Sequence, residues 1–107
     1  MFARFLEMTI KPDKRSEFTK KIKDEIIPIL KDYKGFFDVI HLEVETEPTK
    51  FYAISLWHDA MDMEKYTKEN FLKVNAILEP FLTAPLFVRH CTVNEAMSMK
   101  FVTAVAA

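Results

Sequence analysis

FYAISLWHDAMDMEKYTKENFLKVN, residues Phe51 to Asn75, is the stretch from which the architecture can be read. Its first eight residues, Phe51 to His58, are dense in aromatic and aliphatic side chains and read as a buried strand. A short polar turn follows. From Met61 to Leu82 the spacing of Tyr66, Asn70, Val74, Ile77, Leu78 and Phe81 predicts one inward face of an amphipathic helix. The join brings Trp57, His58 and Tyr66 towards one wall of a pocket.

Working outward, Phe2 to Ile10 alternates and reads as a strand, followed by KPDK as a turn with Asp13 as helix N-cap. From Lys14 to Tyr33, the residues Phe18, Ile22, Ile26, Ile29 and Tyr33 recur at spacings of three and four, one helical face. Pro28 donates no backbone N–H and predicts a kink in the last turn, and Lys34-Gly35 supplies the stop. Strands follow at Phe36 to Val44 and Leu86 to Val93. The order is β-α-β-β-α-β, an α+β ferredoxin-like fold with an antiparallel four-stranded sheet and two helices on one face.

The bulk composition bounds the partners. At 107 residues and 50% hydrophobic content the chain suits one domain, expected over residues 1–95, with residues 96–107 as a tail. Fifteen Lys and Arg against sixteen Asp and Glu leave a net charge of -1 and no basic block, so nucleic acid is not an expected partner. The single cysteine, Cys91, allows no intrachain disulfide and fits a reducing cytoplasm. Within FVRHCTV it reads as a buried structural thiol. No apolar run reaches the roughly 18 residues of a membrane span, and the alternating, charged N-terminus is unlike a signal peptide. With Gly35 as the one glycine, no glycine-rich phosphate loop exists.

Two strands are apolar on both faces. Phe51, Ala53, Ser55 and Trp57 alternate with Tyr52, Ile54, Leu56 and His58, and the first strand sets Phe2, Leu6, Met8 and Ile10 against Ala3, Phe5 and Thr9. Two helices cover one face only, so a second copy of the sheet is expected on the other, in a symmetric homodimer. The apolar tail AMSMKFVTAVAA reads either as a strand added to the partner subunit or as a frayed terminus.

The βαββαβ order, the strand ending in Trp57 and the helix after it resemble the antibiotic biosynthesis monooxygenase (ABM) domain family, over about Met1 to Val93. That resemblance implies a dimeric α+β barrel. It implies either a cofactor-independent monooxygenase acting on an aromatic or quinone-like small molecule, or a non-catalytic binding or interaction module on the same fold. Trp57 matches the family tryptophan. Tyr66 stands where many members carry a histidine, and Asn75 stands nearest to where the haem-degrading branch needs its histidine ligand. A carboxamide cannot replace that ligand, so no haem is expected.

Oxygenation without a cofactor needs a dry pocket and hydrogen-bond donors aimed at a substrate anion. Tyr66 and the indole N–H of Trp57 read as those catalytic donors, or else as core aromatics whose polar tips find a backbone partner. His58, Asn70, Asn75 and Arg89 read as substrate-binding candidates, although His58 fits a surface-turn histidine better. Arg89 and His90 must point to opposite faces of their strand, Arg89 serving either an anion or an ion pair across the dimer. His41, His58 and His90 lie in different strands without HxH or HxxxH spacing, so no metal site is expected.

Overall fold

The computed structural model describes residues 1–97. Strand β1 spans Phe2–Thr9, and a 3-10 turn at Pro12–Lys14 leads into helix α1 at Arg15–Lys21. A π-helical turn, Ile22–Ile26, joins α1 to α2 at Ile27–Lys31. Strands β2 (Phe36–Glu43) and β3 (Lys50–Trp57), helix α3 (Ala60–Leu78), a 3-10 turn (Glu79–Phe81), strand β4 (Phe87–Thr92) and a last 3-10 turn (Glu95–Met97) follow. The sheet runs β2-β3-β1-β4 and every neighbouring pair is antiparallel, the expected ferredoxin-like arrangement. The tail expected to add a strand lies, from residue 98 on, outside the described residues.

Local chemistry explains where the elements depart from their expected bounds. The kink expected at Pro28 takes the form of the π turn before it, in which the Ile27 N–H reaches back to the Ile22 carbonyl. The wider turn accommodates a residue that cannot continue the regular ladder. Asp13 is not the N-cap: it sits within the 3-10 turn, and Lys14 occupies the cap position of α1 without a side-chain hydrogen bond. Helix α3 is capped, since the Met61 N–H donates to Asp59 Oδ1 at 2.7 Å. It ends at Leu78 rather than Leu82 because Pro80 tightens the chain into a 3-10 turn.

Pairing opposes Leu6 to Ala53, Met8 to Phe51 and Phe2 to Trp57, so these residues share one face. That face packs against Phe18, Ile22, Ile26 and Leu30 of the first helical segment and Met63, Tyr66, Val74 and Leu78 of α3 in one core cluster. Gly35 makes the turn into β2 with φ 84°, accepts the His58 N–H at 2.8 Å and lies directly against the Asp62 side chain.

The opposite face carries Phe5, Tyr52, Ile54, Ile40, Leu42 and Phe87. Among the described residues no helix covers it, and Ile40, Leu42 and Phe87 are each more than 40% exposed. Cys91 is exposed too, contrary to its reading as a buried thiol, because β4 is an edge strand and Cys91 pairs with Ala3 on this bare face.

Candidate functional site

The site grows from a charge on the wrong parity. In β1 the helix-covered positions are Phe2, Arg4, Leu6 and Met8, and Arg4 pairs with Ser55 of β3. An arginine is thereby carried beneath α3. Above it, one face of α3 presents Tyr66, Asn70 and Val74, all buried. Beyond the helix, the Thr83 N–H donates to the Thr9 carbonyl at 2.9 Å and draws the following segment against the sheet. Between α3, that segment and the β1–β4 side of the sheet lies a cleft of about 630 Å³. This is within the size range of small-molecule sites.

Tyr66 is 3% exposed, and its ring stands 5.4 Å from Trp57 and 5.3 Å, edge-on, from Tyr33. Its hydroxyl makes no hydrogen bond among the described residues. Burial pushes the Tyr66 phenol above its ordinary range, with the Arg4 charge opposing and Tyr33 adding to the shift. The phenol is therefore a donor at neutral pH. The Arg4 guanidinium lies 5.8 Å from the Tyr66 ring centroid, and burial lowers its pKa. Its Nε is buried without a hydrogen-bond partner among the described residues.

Behind this pair the packing is closed. Trp57 is fully buried and its indole N–H donates to Ser55 Oγ at 2.9 Å. Asn70 Nδ2 donates to the Tyr33 hydroxyl at 2.8 Å and to the Tyr66 carbonyl at 3.1 Å, so the amide group is held in one orientation. The Tyr33 hydroxyl donates in turn to Glu69 at 3.4 Å.

The structure thus brings together Tyr66, Asn70 and Asn75, which line the cleft. Trp57 stands behind Tyr66 and does not line it. His58 is exposed at the far end of β3, its ring 5.3 Å from Phe37. Arg89 opposes Phe5 on the bare face, its guanidinium 4.7 Å from the Phe87 ring, while His90 opposes Arg4 on the covered side. Among the described residues no three His, Cys, Asp or Glu side chains gather as metal ligands. Arg4, Ser55 and Tyr33 were not among the sequence candidates. Arg4 had a signal, since Phe2, Leu6 and Met8 on its own parity are apolar. Ser55 had one too, standing two residues before Trp57 on the same strand face, whereas Tyr33 had none because its partner Asn70 lies on another helix.

A four-stranded antiparallel sheet backed by helices, with a small-molecule-sized cleft under α3, defines the ferredoxin-like class of α+β domain. More narrowly, the chain belongs to the antibiotic biosynthesis monooxygenase family, whose model matches residues 1–73. The cleft residues from Val74 to Val88 lie beyond that match.

Solved structures agree on the fold. A candidate antibiotic biosynthesis monooxygenase from Nitrosomonas europaea superposes with a TM-score of 0.74 at 14% identity, covering 88% of this chain and 99% of that one. One from Caulobacter crescentus gives 0.74 at 15% identity, covering 87% and 90%. A conserved protein from Methanosarcina mazei gives 0.71 at 18% identity, covering 84% and 90%. A comparison with curated proteins found no match. At such identities the likeness concerns the fold.

Proposed function

We propose that this chain is a cofactor-independent monooxygenase acting on an aromatic or quinone-like small molecule bound between α3 and the sheet, and that it works as a homodimer. The observation that carries the reading is the Tyr66 phenol, buried, protonated and without a hydrogen-bond partner among the described residues, at an aromatic wall of a ligand-sized cleft. A preorganised donor in a water-poor site stabilises charge developing on a substrate oxygen far better than water does.

The chemistry balances without a further reductant. A quinol and O₂ give a hydroxyquinone and water: one C–O bond forms, the O–O bond breaks, and the quinol supplies all four electrons. Tyr66 donates its hydrogen bond to the quinol-derived oxygen as negative charge grows there. Asn70, fixed through Tyr33, and Asn75 orient the ring, and Trp57 backs Tyr66 as a rigid plate. His58 and Arg89 act at the dimer or the surface in this reading, since neither lines the cleft.

The bare face of the sheet supports the dimer. Its exposed Ile40, Leu42 and Phe87, with half-buried Phe5, Tyr52 and Ile54, form an apolar patch that a second copy matches by two-fold symmetry.

One observation favours the second reading, a non-catalytic binding module. Trp57 spends its N–H on Ser55, which leaves Tyr66 as the aromatic donor facing the cleft. Oxygen uptake with a panel of reduced quinols decides between them. Uptake that depends on the quinol supports the enzyme; saturable binding with no uptake across the panel favours the module.

A further inference from the structure

We propose that Arg4 makes the cleft a site for an organic anion, so that its aromatic or quinone-like ligand binds with an ionised oxygen against the guanidinium. This rests on the cleft being the small-molecule site. The other two arginines have accounted surroundings: Arg15 pairs with Glu43 at 3.0 Å, and Arg89 lies exposed over Phe87. Arg4 differs. It takes part in none of the ion pairs among the described residues, and its Nε is buried with no acceptor. The one carboxylate among the described lining residues, Glu79, is exposed and is not an ion-pair partner of Arg4.

A half-buried cation without a counter-charge among the described residues is costly, and the Tyr66 ring face offsets only part of that cost. The guanidinium offers a planar fork of donors suited to two oxygens. What it lacks is an acceptor, and the cleft is where one can enter. Arg4, Tyr66 and Asn70 lie on its walls together, beside apolar Leu6, Val74 and Val88. Those surfaces suit a flat ring with one charged, oxygen-bearing edge.

The test uses a matched pair: 2-hydroxy-1,4-naphthoquinone, an enolate at neutral pH, and its uncharged 2-methoxy ether. Each is titrated into the full chain by calorimetry. The wild type is expected to bind the enolate at least about tenfold more tightly, the scale of one hydrogen bond to a charged group. Arg4→Gln is expected to lose that preference while its affinity for the ether changes less than about twofold; Arg4→Lys is expected to keep part of it. Circular dichroism and thermal unfolding check that both variants fold, and if neither does, the wild-type pair alone decides. Equal wild-type affinities, binding of neither compound, or a preference that survives Arg4→Gln would overturn the proposal. The oxygenase reading is judged apart, by oxygen uptake with reduced quinols. Anion preference without uptake sinks that reading and leaves this one. Uptake without anion preference does the reverse.

Discussion

The indole N–H of Trp57 donates to the hydroxyl of Ser55, two residues earlier on the same face of β3, at 2.9 Å. Both residues are buried, so the strand supplies its own acceptor to the largest core side chain. Ser55→Ala strands that donor and is expected to lower unfolding free energy by about 1–3 kcal/mol. Urea unfolding measures it. A loss of no more than the few tenths typical of a surface change would mean that the bond does not stabilise the core.

Tyr66→Phe separates chemistry from folding. The hydroxyl makes no hydrogen bond among the described residues, so its removal is expected to leave the unfolding midpoint nearly unchanged. Turnover of a quinol, where found, is expected to fall about a hundredfold, the scale of one lost transition-state donor. Equal turnover in both proteins would remove Tyr66 from the mechanism.

Gly35→Ala is expected to destabilise by roughly 1–3 kcal/mol. The backbone there is left-handed, and an added Cβ would run into the Asp62 side chain at the start of α3. Pairing it with Asp62→Ala relieves the collision but not the dihedral strain, so the double variant is expected to recover only part of the loss. Thermal melts of the three proteins check this.

Ile54→Lys places a charge in the middle of the bare sheet face, where Ile54 pairs with Phe5 and Ile40. The wild type is expected to sediment as a dimer at micromolar concentration and the variant as a monomer with its circular dichroism spectrum retained. A wild-type monomer would leave that face without a role in assembly.

Alkali is expected to weaken the fold through Tyr66. Burial raises its pKa in the folded state, so the protonated phenol is favoured there more than in the unfolded chain. The associated stability is complete below about pH 10, the ordinary tyrosine value, and is lost as pH rises through the folded value. Denaturant unfolding compared at about pH 9 and about pH 11 should therefore show a larger loss in wild type than in Tyr66→Phe. The opposite ordering would contradict the assignment.

Much of this was legible in the residues. The spacing from Tyr66 to Phe81 marked the inward face of α3, and the alternation of β3 marked its two faces, because periodicity is a local property that burial imprints directly. The same alternation pointed to a face that no helix covers among the described residues. Boundaries were less legible: Pro28 and Pro80 disturb a helix in ways that depend on what the neighbouring turn tolerates, a π turn in one case and a 3-10 turn in the other.

The site was legible in part. Tyr66 and Asn70 share one helical face, which spacing alone places together, whereas Asn75 falls outside that stripe and only the tertiary structure sets it in the lining of the cleft. Arg89 and His90 had to face opposite ways, but only the pairing with β1 sets His90 on the covered side and Arg89 on the bare one. Sequence by itself determined the βαββαβ order and the inward stripe of α3, since these follow from local pattern, and it carried the resemblance to the family; which face of each strand the helices cover it left open. Tertiary structure alone decided that Trp57 turns its N–H to Ser55 and that Arg4 stands half-buried at the cleft without a counter-charge among the described residues. The first needs two neighbouring side chains of one strand face to be buried together, and the second is a relation between segments distant in the chain; only packing creates either.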